Sequence, residues 1–350
     1  MPDVKSNVFG DGLETEPTTH AQIGHFEFSP DATQNHLLPF LFALEALEKL
    51  SLILKYENLW QLPALKAQIT DCIGIKNDIK SATVISLLRM HSLTEAIESQ
   101  KISNIQTAVG LYSVMSEFFS SLKKIHELNI DSNASSLYIL SSLIENDLRS
   151  STQMNDTQIE NKLNYGFSIL KPKLEDFVEK NADRTISTIS TDKFLGEFKF
   201  NVDDNSLLRS VVEVYKKLFA ANISNDKNEI SEVKTLIQDN FGLEHTIEFA
   251  SVCALIRAYS IIDTIENGKA PSTIHIKIGI LATINQLISN SKDHLSGDDT
   301  NAIVKLCSEK FLKLEDDFRN SLGHSKIDTD ASDPTPVELG DNIDSSDLHG

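Results

Sequence analysis

Towards the C-terminal end, LEDDFRNSLGHSKID (residues 314–328) sets Arg319, Asn320 and His324 in an Arg-Asn-x-x-x-His array. A guanidinium offers a fixed fork of donors to phosphate oxygens, and an imidazole takes or gives a proton near neutral pH. Held together on a partly exposed ledge, the two can cradle a phosphodiester and move a proton on it. Six arginines and ten histidines in 350 residues give about 0.2 chance occurrences of Arg-x4-His, before the adjacent Asn is required. The spacing predicts a helix over Asp298–Leu322 whose apolar stripe is Cys307, Phe311, Leu314, Phe318 and Leu322, with Arg319 beside that stripe. Gly323 would end the helix and turn His324 back towards Arg319. The plainer reading of the same residues is a helix end with a Glu315–Arg319 surface pair and an exposed histidine after a glycine cap.

Other charged positions have local explanations. Glu45/Lys49, Glu213/Lys217, Glu145/Arg149 and Glu315/Arg319 are pairs at i,i+4, each worth a few tenths of a kcal/mol. Arg89 and Arg257 sit in apolar stretches without such a mate. For both, a partly buried ion pair with a carboxylate on another helix is favoured over a binding role. The cysteines Cys72, Cys253 and Cys307 are widely spaced and form no disulfide framework or zinc knuckle. No Gly-rich phosphate loop, His/Cys ligand spacing or nucleophile elbow occurs, so neither a metal nor a cofactor is expected.

The elements that would position these residues occur twice. Sliding the chain by 168 residues lays ALEALEKLSLIL (43–54) on VVEVYKKLFAAN (211–222) and LPALKAQITDCIGI (62–75) on ISEVKTLIQDNFGL (230–243). The same offset pairs Arg89 with Arg257, Ser92 with Ser260 and Glu98 with Glu266. At offset 172, IGHFEFSPD (23–31) meets LGEFKFNVD (195–203); at 169, residues 103–119 meet 272–288; at 170, IENDLRSS (144–151) meets LEDDFRNS (314–321). A unit of this length suits a complete domain rather than a solenoid repeat.

The reading is therefore all-α: a tandem duplicated helical-bundle domain of about five helices, each copy preceded by one short β-strand. Residues 1–19 form a flexible acidic N-terminus, 20–151 the first unit, 152–191 a linker, 192–326 the second unit and 327–350 a disordered acidic tail. In the linker, Ile159, Leu163, Phe167, Leu170, Leu174 and Phe177 mark an amphipathic bridging helix broken or kinked near Pro172. In the second unit, helices are predicted near Asn205–Asn222, Asn228–Asn240, Glu244–Asn267, Thr273–Ser291 and Asp298–Leu322. Gly74 and Gly242 follow apolar helical runs, as left-handed caps do.

The formal charge of −19 argues against a basic surface for duplex DNA or anionic membrane. More than half of it belongs to the two ends, and the stretch 301–326 is balanced slightly positive, which leaves room for a phosphate-bearing ligand. No uncharged run reaches the ~20 residues of a spanning helix, and the N-terminus lacks an apolar signal core, so a cytoplasmic protein is expected.

With its final helix carrying Arg, a polar residue, spacers and then His, the second unit resembles the HEPN family of small helical bundles. The resemblance reaches the first unit only through the internal repeat. It implies a metal-independent endoribonuclease fold of toxins and antiviral or growth-arrest systems, in which two domains pair and bring their motifs to one cleft. Carried over, Arg319 would hold the scissile phosphate, His324 would act as acid–base for attack by the RNA 2′-hydroxyl, and Asn320 would orient them. In the first unit Arg149 remains, but Ser150 replaces Asn and Met154 stands where His would fall, so that half reads as catalytically dead. Lys326 also departs from the family variant ending His-x-Tyr. The implied partners are RNA and a protein inhibitor or regulator. Two pairings are open: a pseudo-dimer within the chain, or a homodimer of second units. The contrasting reading is a non-catalytic regulatory or scaffold module that binds nucleotide, RNA or a protein.

Overall fold

A computed structural model describes residues 22–291 apart from 36, 100–102, 126–132, 151–153, 181–193, 225, 243–245 and 269–272. The Arg319, Asn320 and His324 array, the helix predicted over 298–322 and both tails lie outside the described residues.

The protein is all-α, with one small sheet of two strands among the described residues. The first unit runs β1 (Gly24–Phe28), α1 (Pro30–Gln34), α2 (Leu38–Lys55), α3 (Leu62–Ile73), α4 (Ile79–Glu98), α5 (Asn104–Lys124) and α6 (Asn133–Ser150). A long helix α7 (Asp156–Lys180) follows. The second unit runs β2 (Gly196–Phe200), α8 (Asp204–Ser224), α9 (Lys227–Phe241), α10 (Ile247–Glu266) and α11 (Thr273–Ser291).

Local chemistry sets matching boundaries in the two halves. Gly74 ends α3 at φ 68° and Gly242 ends α9 at φ 58°, left-handed positions that a Cβ would strain. One residue-turn later, Asp78 caps α4 by accepting from the Ser81 amide, and Thr246 caps α10 by accepting from the Phe249 amide. These side chains satisfy amides that would otherwise be orphaned at the helix start.

The packing of the halves is reciprocal. Strands β1 and β2 pair antiparallel with Phe26 opposite Phe198, their rings edge-to-face at 4.8 Å. The Ile23 amide donates to the Asn240 carbonyl at 2.8 Å, and the Leu195 amide donates to the Cys72 carbonyl at 2.9 Å, two bonds related by the repeat offsets. Helix α4 packs on α8 and α9, while α10 packs on α2 and α3. Lys66 on α3 pairs with Glu266 on α10 at 2.7 Å, and Lys234 on α9 pairs with Glu98 on α4 at 2.9 Å. Each half thus packs one helix, α4 or α10, on two helices of the other, and the buried side chains of both belong to one apolar cluster.

Helix α7 packs on α5, α6 and α8 and so ties the first unit to the second. Ile159, Leu163, Leu170, Leu174 and Phe177 are buried along it, and Phe167 stacks on Phe219 of α8 at 4.3 Å. Of the break or kink expected near Pro172, the break does not occur, because α7 continues through it as one helix. Pro172 and Ser168 lie on the exposed side, where the carbonyl left without an i+4 donor can be hydrated.

Candidate functional site

A cleft of about 700 Å³ opens where α4, α5 and α6 of the first unit meet α10 and α11 of the second. Its lining contains repeat-related pairs: Arg89 with Arg257, Ser92 with Ser260, Leu93 with Ile261, and Gly110 with Gly279. A Cβ on Gly110 would crowd the Leu93 side chain at 3.0 Å, whereas one on Gly279 would meet Ile261 at an ordinary 3.7 Å. Among the described residues the lining includes three arginines, Arg89, Arg149 and Arg257, and no acid. Three of the chain's six arginines thus meet at one cleft.

The first unit neutralises its arginines through two carboxylates, the partly buried Glu117 and the buried Glu145. Arg89 forms an ion pair with Glu117 of α5. Arg149 donates through Nε and Nη2 to Glu145 Oε1 at 3.0 and 2.8 Å, and the Ser116 hydroxyl donates to Glu145 Oε2 at 3.0 Å. Glu145 is buried, so its pair with Arg149 is part of an internal network rather than the surface pair its i,i+4 spacing predicts. Burial pushes the Arg89 guanidinium down to about 10, with Glu145 and Asp263 opposing that shift, and it stays charged at neutral pH.

Among the described residues the second unit shows no matching compensation. Offset 169 places Gln286 of α11 where α5 carries Glu117, and a neutral amide cannot balance a guanidinium. Arg257 forms no ion pair among the described residues, and its buried Nη1 has no hydrogen-bond partner. Burial lowers its pKa, opposed by the charge of Glu95, which is itself held by Lys234 and by a 3.3 Å bond from Asn290. Beside it, the hydroxyls of Ser92 and Ser260, 7% and 6% exposed, also have no hydrogen-bond partner. Buried polar groups of this kind ordinarily carry a partner, and here they converge on one concavity.

Arg89 meets the ion-pair expectation, and Arg257 shows no ion pair among the described residues. Arg149 lines the cleft, while its repeat mate Arg319, with Asn320 and His324, lies outside the described residues. Ser92 and Ser260 were visible as a matched pair in the repeat without a signal for their exposure to a cleft. The exchange of Glu117 for Gln286 was the overlooked signal. Cys72 and Cys253 are free thiols, and burial raises the pKa of each, that of Cys72 to about 11, so neither is an activated nucleophile. Among the described residues no cluster of three His, Cys, Asp or Glu side chains is placed to hold a metal ion, and no helix is long and apolar enough to cross a membrane.

Compared with models of known families, with curated proteins and with solved structures, the chain matches none.

Proposed function

We propose that this protein is a HEPN-like, metal-independent endoribonuclease of a toxin, antiphage-defence or growth-arrest system, with the cleft between its two units holding the RNA. One observation supports the reading most: Arg149, which the repeat equates with Arg319 of the array, lines a cleft shared by both units whose described lining holds no acid. In this proposal Arg319 binds the scissile phosphate and Asn320 orients the reacting groups. His324 takes the proton of the 2′-hydroxyl as its oxygen attacks phosphorus. The bond from phosphorus to the 5′-oxygen breaks, and that oxygen leaves with a proton. The products are a 2′,3′-cyclic phosphate and a free 5′-hydroxyl, with no water consumed. The chain supplies one complete array, since Ser150 and Met154 stand at the matching places of the first unit.

The test is to incubate wild-type protein and His324→Ala with total RNA in chelator. Cleavage by the wild type alone, with cyclic-phosphate ends, is the predicted result. RNA left intact by the wild type refutes the nuclease. The alternative, a non-catalytic HEPN-like regulatory module binding nucleotide, RNA or a protein partner, is favoured by the lost Asn and His of the first unit. It predicts intact RNA together with binding at the cleft.

A further inference from the structure

We infer that the cleft contains a dedicated phosphate-ester site at Arg257, Ser92 and Ser260, built from residues other than the Arg319–His324 array and not dependent on the nuclease reading. Three facts converge on it. Arg257 carries a buried nitrogen without a hydrogen-bond partner, because the glutamate that balances Arg89 is a glutamine, Gln286, in the second unit. Two hydroxyls from opposite units, both more than nine-tenths buried, reach the same cleft without a partner. The lining described there holds no carboxylate to repel an anion.

Leaving such groups unpaired in a folded protein is costly, and ligand oxygens that accept from them remove the cost. A phosphate suits them: it accepts a charge-assisted bond from the guanidinium and neutral bonds from both hydroxyls. Leu93, Val109, Val114 and Ile261 line the same cleft, and about 700 Å³ is ample for a body larger than the phosphate itself. The ligand class is therefore a phosphate ester with a partly apolar body, of which a nucleotide, free or as a unit of an RNA chain, is the type. The asymmetry assigns the phosphate to Arg257, since Arg89 already spends its charge on Glu117.

Calorimetric titration of the full chain with AMP and, separately, with a short single-stranded oligoribonucleotide tests this. Gln286→Glu restores the missing carboxylate beside α10 without touching the cleft's arginines. Ser92→Ala/Ser260→Ala removes only the hydroxyls, at positions where alanine fits a helix. The site predicts that the wild type binds at least one probe, that the tighter probe identifies the source of the phosphate, and that each variant weakens binding about tenfold or more. Absence of binding by the wild type, or equal binding by both variants, overturns the site. Cleavage is scored separately: AMP binding without RNA cleavage refutes the nuclease and leaves this site standing, while cleavage without variant-sensitive binding does the reverse.

Discussion

Arg89 and Arg257 stand at matching positions of two halves that share one core, yet among the described residues only Arg89 has an ion-pair partner. Arg89 has Glu117 on the next helix, whereas Arg257 faces a helix that offers Gln286. The backbone frame around both is similar: a side-chain-capped helix carrying the arginine, a glycine on the following helix, and a lysine–glutamate pair crossing to the other half. A repeated frame therefore fixes where a guanidinium stands, and one exchange on a neighbouring helix decides whether its charge is consumed internally or offered to the cleft. The first unit reads as the structural half and the second as the receptive one.

The largest effect that separates the halves lies in the core. Phe219 of α8 is fully buried among Tyr112, Phe167 and Tyr215, while its repeat mate in α2 is Ser51. Phe219→Ala should cost about 3–5 kcal/mol in denaturant unfolding, and Ser51→Ala should stay within about 0.5 kcal/mol. Equal losses would show that α7 does not cover the second unit in the way its contacts describe.

The arginines give the next effect. Arg89→Ala strands Glu117, whose side chain is only 13% exposed, and should cost about 3 kcal/mol. Arg257→Ala removes a buried charge with no ion pair and should cost less than about 1 kcal/mol, or raise stability. If the two variants unfold at the same denaturant concentration, the claimed difference in compensation is wrong.

The crossing lysines give the smallest effect. Lys66 meets both Asp263 and Glu266 at 2.7 Å, whereas the residue matching Asp263 is Glu95, which Lys234 reaches electrostatically without an ion pair. Burial alone would lower the Lys66 ammonium, but its two carboxylate partners outweigh burial and raise it. Lys66→Met should cost about 1 kcal/mol and Lys234→Met about half of that, both diminishing with added salt. A larger loss at Lys234 would reverse the ranking of the two crossings.

Helix positions, the two short strands and the glycine caps were legible because apolar spacing and cap chemistry are local signals. In the second unit the helices near 205–222, 228–240, 244–267 and 273–291 have their counterparts in α8 to α11. The exchange of α4 and α10 between the halves was not legible, since a periodic apolar face states that a helix is buried without naming what buries it. For the same reason Glu145 reads as a surface residue at i,i+4 spacing and proves to be internal. Pro172 misleads in the opposite direction, because a proline on a solvated face breaks less than the rule for helix interiors implies. Of the site, the two arginines and two serines were visible as matched pairs, but their convergence on one cleft depends on the reciprocal packing.

The most direct test of the account is thermal unfolding of the wild type, Arg89→Ala and Arg257→Ala, each with and without saturating AMP. A ligand that binds only the folded state raises the midpoint by mass action. The account predicts a wild type stabilised by AMP, an Arg89→Ala protein of lowered midpoint that is still stabilised, and an Arg257→Ala protein of undiminished midpoint that AMP no longer shifts. An AMP shift retained by Arg257→Ala, or lost only in Arg89→Ala, would contradict the assignment of the receptive arginine to the second unit.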